Sequence, residues 1–185
     1  MNAVPAIIPH LSHEEYLDLE EASPFKHEYV AGQIYAMTGT SDSHNFICLN
    51  IASFLRNHLK GTHCRVFMAD VKAKLAQADA FYYPDVMVSC EPSPNRYYRQ
   101  QPSLIVEVLL ESTAKYDRSE KRLKYQSLES LQEYVLVSQE CMDVRVWRRD
   151  ESGWSASIYT DGMVIPFNSV GLEMPIDLIY DDVWT

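Results

Sequence analysis

The run Pro102-Ser103-Leu104-Ile105-Val106-Glu107-Val108-Leu109 constrains this chain more than any other. It is short, rich in β-branched residues and almost wholly apolar, the pattern of a central strand buried on both faces. It nevertheless carries a carboxylate, Glu107. An earlier strand-like run, Tyr82 to Ser89, carries Asp85 directly after Pro84. A carboxylate in an apolar strand is costly unless it is paired or holds a cation. Two of them on consecutive strands point to a sheet that brings them to a shared task.

A helix is expected over residues 116–128. It would carry Asp117, Lys121 and Tyr125 at four-residue spacing, hence on one face. Two acids and a lysine at one edge of a sheet can hold a divalent metal and steady a phosphate.

The rest of the chain supplies a frame. Residues 1–10 read as a loose lead-in. Ser12 followed by Glu15 is a capping-box pattern for a helix over residues 12–21. Lys26 to Met37 alternates around Ala31-Gly32-Gln33, which predicts a hairpin with Glu28 near Tyr35. A helix follows over residues 43–59, with Phe46, Ile47, Leu49, Ile51, Phe54, Leu55 and Leu59 as its apolar face and His44 one turn before Cys48. Strands are expected at Cys64–Met68 and Val71–Leu75, with Lys72 and Lys74 facing one way. Others are expected at Glu133–Val137, Val144–Trp147, Trp154–Tyr159 and Met163–Ile165. The last two would be joined by a hairpin turn at Asp161-Gly162, ahead of a short terminal helix over 175–180. Helix, strands, helix, strand in this order implies a mixed sheet flanked by helices, an α/β (α+β) architecture within one domain over residues 1–185.

Composition narrows the function classes. The net charge is −10, which argues against indiscriminate nucleic-acid binding, since that depends on Lys and Arg neutralising phosphates. A local basic patch with a bound metal can offset an acidic body, and Lys115 to Lys124 is such a patch. Four scattered cysteines form no CxxC pair, so free thiols are the expectation. No apolar run approaches the roughly 20 residues that cross a bilayer, and Met1 to Pro5 lacks a signal-peptide pattern. A cytoplasmic location is expected.

Several stretches together resemble the Uma-two (Uma2) family of restriction endonucleases, within the PD-(D/E)XK nuclease superfamily. They are Pro84-Asp85, Glu107 to Thr113, Tyr116 to Lys121 with Tyr125, Leu131 to Val137, and His27 to Met37 with His44. The resemblance covers most of the chain. It implies a restriction-endonuclease-like core and a metal-dependent endonuclease acting on DNA. Asp85 and Glu107 would hold Mg²⁺, or Mn²⁺ in its place, and the Val108 carbonyl would add an oxygen. The superfamily lysine lies two residues after the second acid, which here is the apolar Leu109. The resemblance implies that Lys121 on the following helix takes its place. Lys124 competes for the role but lies roughly 300° further round the helix. Asp117 is placed to pair with Lys121, and Glu28 to join the site. A homodimer would suit a cut on both strands.

Each candidate also has a plainer reading. Asp85 can cap a strand, Glu28 can pair across its hairpin, and Lys121 can be a solvated helix lysine. His44 reads as a hydrogen-bonded residue on a packed helix rather than a ligand. Arg96, Tyr97, Tyr98 and Arg99 form a loop that suits a nucleic-acid strand, but an ordinary solvated loop explains them better. His58, His63 and Cys64 match no zinc spacing. The rivals to a nuclease are a non-catalytic nucleic-acid-binding or scaffold protein on the same fold, and a metal-dependent hydrolase of smaller phosphate esters.

Overall fold

Ser12 starts the first helix, α1 (His13–Ala22), as its spacing from Glu15 predicts. Its hydroxyl accepts from the Glu15 N–H, and the Glu15 carboxylate accepts from the Ser12 N–H. The computed structural model describes residues 10–110 and 117–184, without the side chains of 117 and 118. The pairing of Asp117 with Lys121, the motif residues 111–116 and most of the lead-in therefore lie outside the described residues.

Strands β1 (His27–Val30) and β2 (Gln33–Ala36) form the expected hairpin, with Glu28 opposite Tyr35. Its turn puts both Ala31 and Gly32 at positive φ. At Gly32 a side chain would also run into the His10 ring, so glycine answers both demands there. This hairpin belongs to a five-stranded sheet with β4 (Lys72–Leu75), β5 (Ala80–Tyr82) and β7 (Tyr98–Arg99), in the order β2-β1-β5-β4-β7.

A second, six-stranded sheet carries the core. Its strands are β3 (Arg65–Met68), β6 (Val86–Ser89), β8 (Pro102–Leu109), β9 (Glu133–Ser138), β10 (Asp143–Asp150) and β11 (Gly153–Thr160), in the order β11-β10-β9-β8-β6-β3. The β8–β9 pair is parallel and its neighbours are antiparallel, so the sheet is mixed. The long helix α2 (Asp42–His58) packs on one face. Its N-cap is Ser41, whose hydroxyl accepts from the His44 N–H. Ile47, Cys48, Ile51 and Leu55 of α2 meet Val86, Val88, Leu104 and Val106 of the sheet. Of the expected face Ile47, Ile51, Leu55 and Leu59 are buried, whereas Phe46, Leu49 and Phe54 lie off the buried stripe and are exposed. A π-helical turn (Asp117–Lys121) followed by α3 (Arg122–Gln126) takes the place of the predicted helix. Tyr125 of α3 is buried on the other face of the sheet, with Tyr82 and Tyr134. The chain closes with β12 (Val164–Phe167), β13 (Leu172–Pro175) and α4 (Ile176–Ile179). The architecture is mixed α/β, as expected.

Three local expectations fail for identifiable reasons. The run Tyr82 to Ser89 is not one strand: it breaks at Tyr83-Pro84-Asp85 and passes from the five-stranded sheet to the six-stranded one. Asp161-Gly162 is a turn but not a hairpin, since β11 pairs with β10 and β12 with β13. Cys64 and Cys90 are joined in a disulfide across the ends of β3 and β6, so only Cys48 and Cys141 are free thiols. Lys72 and Lys74 do share one face of β4, away from Ala73 and Leu75: Lys72 is buried with its ammonium on the Tyr83 hydroxyl, and burial lowers its pKa, while Lys74 lies over the Phe81 and Tyr98 rings. No helix among the described residues is long and apolar enough to cross a membrane.

The buried tyrosines make the fold sensitive to alkali. Burial pushes the hydroxyls of Tyr16 and Tyr125 above the ordinary tyrosine value of 10.0. Unfolding would return them to that value, so their contribution is complete below about pH 10 and is lost above it. Each tyrosine that ionises only on unfolding costs about 1.4 kcal/mol per pH unit there. The urea midpoint is expected to fall between about pH 9 and about pH 11, and an unchanged midpoint would contradict this.

Candidate active site

The break at Pro84 creates the site. The β6–β8 ladder ends with Val86 facing Val106, and one step further along that register would set Asp85 opposite Glu107. Both carboxylates therefore sit at the open end of two neighbouring strands. A second step would place position 84 opposite Val108. A proline there has no N–H to give the Val108 carbonyl. The Pro84 carbonyl instead receives the Ala69 N–H, and the Val108 N–H turns to Asp85 Oδ2 at 2.7 Å. The dipeptide thus ends one sheet pairing and swings a carboxylate into its place.

Glu107 projects toward α3. The Tyr125 hydroxyl donates to its Oε1 at 2.9 Å, and the Lys121 ammonium lies 3.0 Å from the same oxygen. Burial, reinforced by the charges of Glu107 and Glu28, drives the Tyr125 hydroxyl well above its usual pKa, so it remains a donor. Lys121 also donates to Glu28 Oε1 at 3.0 Å, and the Tyr83 N–H reaches that oxygen at 3.3 Å. One ammonium is thus held between two carboxylates that come from different sheets.

On the α2 side, His44 Nε2 lies 3.2 Å from Asp85 Oδ2, and its Nδ1 lies 3.5 Å from Cys48 Sγ. Burial first, and then the negative charges of Asp85 and Glu107, push the Cys48 thiol up, so it stays protonated at neutral pH. Tyr83 continues the polar network away from the cleft: its hydroxyl donates to Glu20 Oε1 at 2.8 Å, and Glu20 also accepts from the His27 N–H.

Glu28, His44, Tyr83, Asp85, Glu107 and Lys121 line one cleft of about 440 Å³. Asp85, Glu107, Lys121 and Glu28 all reach it, and Lys124 does too. Lys121 is the lysine placed between the carboxylates. Leu109, at the superfamily's lysine position, is buried in the core. Side-chain exposure is 5% for Glu107, 17% for Glu28 and 18% for Asp85, against 8% for Lys121. Among the described residues, Glu28 and Glu107 share one ammonium and Asp85 adds a third carboxylate, which leaves an excess of negative charge, while Glu120 and Lys124 at the cleft offset each other. Such an excess suits a divalent cation. The donors are carboxylate oxygens and a backbone carbonyl opposite a proline, which fit a hard ion of the Mg²⁺ or Mn²⁺ kind.

Other candidates lie elsewhere. Arg99 stacks on Phe67 and donates to the Asn95 and Tyr98 carbonyls, so it is tied into the structure of its own loop. His58 bonds the Val170 carbonyl, and His63 lies beside the Cys64–Cys90 disulfide. Two contacts escape sequence reasoning. Tyr125 stands on the face of Lys121, but its bond to Glu107 depends on the depth of α3. His44 shows only its spacing to Cys48, and nothing local ties it to Asp85.

Comparison with known proteins bears on the family and the fold. The model of the Uma2 family, described as "Putative restriction endonuclease", matches residues 13–177. The "Uncharacterized protein slr1290" of Synechocystis sp. is 36% identical over 178 residues, covering 95% of this chain and 94% of that protein. The "Uncharacterized protein sll1609" of the same organism is 33% identical over 143 residues, covering 75% of this chain and 81% of that protein. A crystal structure of a "putative nuclease belonging to DUF820" from Anabaena variabilis superposes with a TM-score of 0.76. It shares 17% identity and covers 92% of this chain and 97% of that one, a likeness of fold.

Proposed function

The chain belongs to the Uma2 family, whose description is "Putative restriction endonuclease", and on that premise we propose that it is a metal-dependent DNA endonuclease whose site is the cleft between Asp85, Glu107 and Lys121. The observation that carries this reading is the meeting in one cleft of Glu28 and Glu107, which come from different sheets and share the Lys121 ammonium, with Asp85 beside them.

Asp85, Glu107 and the Val108 carbonyl would hold the ion. When bound, a Mg²⁺ or Mn²⁺ ion supplies Lewis acidity toward a phosphodiester oxygen and lowers the pKa of water. The protein's own residues do the rest. Tyr125 fixes the rotamer of Glu107 by donating to it. Glu28, held by the Tyr83 N–H, keeps the Lys121 ammonium facing the cleft. That ammonium stabilises negative charge as it develops on the phosphate. Delivery from a helix rather than from position 109 leaves Leu109 free to complete the core. The two copies needed to cut both strands would form a homodimer, for which the outer strand β11 with exposed Ile158 offers an edge.

The test is conversion of supercoiled plasmid. Wild-type protein is expected to nick it with Mg²⁺ or Mn²⁺ and not with EDTA, and Asp85→Asn is expected to lose the activity. Nicking that survives Asp85→Asn would overturn the assignment. Retardation of DNA without cleavage, under any metal, would replace it with the binding-module reading.

A further inference from the structure

We propose that His44 is a nitrogen ligand to the ion in this cleft and that it biases the site toward manganese-class ions over Mg²⁺. This rests on the metal reading above and extends it to a residue that the acids and lysine of the site do not require.

His44 lies in the first turn of α2, anchored through its own N–H on the Ser41 hydroxyl. It is 4% exposed, yet it lines the cleft. Its Nε2 is 3.2 Å from Asp85 Oδ2. Two donors that share a small octahedral ion at about 2.0–2.1 Å stand about 3 Å apart when adjacent. The separation in this structure is thus close to that of two neighbouring ligands on one ion. His44, Cys48 and Asp85 also cluster with donor atoms within 4.8 Å of one another.

The other ring nitrogen supports the assignment. Nδ1 faces Cys48 Sγ at 3.5 Å. Sulfur can accept the Nδ1–H, and in that tautomer the Nε2 lone pair faces Asp85 and the cleft. Cys48 contacts the second ring nitrogen, and that contact orients the imidazole.

The consequence is selectivity. Mg²⁺ takes oxygen donors, whereas first-row transition ions accept imidazole. A site of carboxylates and carbonyls alone would suit Mg²⁺; one imidazole among them moves the preference toward Mn²⁺.

Pulsed electron spin resonance of bound Mn²⁺ reads this directly. The wild-type complex is expected to show modulation from an imidazole nitrogen, and His44→Gln to lack it. Calorimetry is expected to show at least a tenfold loss of Mn²⁺ affinity in His44→Gln, with Mg²⁺ affinity changed by no more than about threefold. Mn²⁺ bound in a Glu107-dependent way without nitrogen modulation would overturn the inference and leave the metal reading standing. So would equal losses for both ions, which mark a residue that merely positions Asp85. Failure of the wild-type protein to bind either ion would overturn both. The wild-type spectrum decides the matter even if the variant does not fold.

Discussion

Replacing Lys121 with alanine is expected to cost about 3–5 kcal/mol of stability at neutral pH and to reduce plasmid nicking by about 10²–10³-fold. The two effects share a cause. The Lys121 ammonium contacts Glu28 and Glu107 at 3.0 Å each, and the Glu107 side chain is 5% exposed. Without the ammonium, those carboxylates face each other in a sheltered cleft, and an uncompensated buried charge is expensive. Packing against Tyr82 and Tyr125, over which the ammonium also lies, is lost as well. A divalent ion that binds Glu107 restores part of the deficit, by about 2.7 kcal/mol at a hundredfold excess over its dissociation constant. Urea unfolding with and without Mn²⁺ is the measurement. The metal-induced shift is expected to be larger in Lys121→Ala than in wild type. Equal shifts, or a variant as stable as wild type, would contradict the account.

Glu133→Ala is expected to destabilise the protein by a similar amount, about 3–5 kcal/mol, for reasons unrelated to the site. Glu133 is 1% exposed at the start of β9. It receives Arg148 Nε at 2.9 Å, the Asn168 and Ser169 N–H groups at 3.1 and 2.9 Å, and the Ser169 hydroxyl at 2.6 Å. Arg148 continues to the Tyr159 hydroxyl and the Pro166 carbonyl, which ties β9, β10, β11 and β12 together. Removing the carboxylate strands a mostly buried guanidinium and two backbone donors. In the parallel β8–β9 register Leu104 faces Glu133, whereas Glu107 faces Leu136, so this network sits roughly 10 Å along the strand from the cleft. Thermal or urea denaturation should therefore show the loss, while Mn²⁺ affinity below the midpoint stays at the wild-type value. A fall in Mn²⁺ affinity equal to that of a site variant would show that the two ends are coupled.

The sequence made some of this visible and concealed the rest. The capping box at Ser12 and Glu15, the hairpin at Ala31-Gly32 and the apolar run bearing Glu107 are written in local chemistry, and each forms where that chemistry puts it. The co-location of Asp85, Glu107, Lys121 and Glu28 followed from strand order, helix spacing and the family resemblance together. The break at Pro84 was marked by a residue that cannot donate to a ladder, but its purpose depends on the register with Val108, which is a tertiary fact. The α2 face was misjudged because Phe46, Leu49 and Phe54 are as apolar as the residues that pack. His44 against Asp85, and Cys64 against Cys90, are contacts between distant segments with no local signature.

The central claim is that one oxygen each from Asp85 and Glu107 share a divalent ion. Anomalous scattering from a crystal soaked in Mn²⁺ tests it most directly. The account predicts a peak in the cleft about 2.0–2.3 Å from a carboxylate oxygen of both residues. A cleft without a peak while manganese binds elsewhere on the protein, or a peak that touches neither carboxylate, would contradict it.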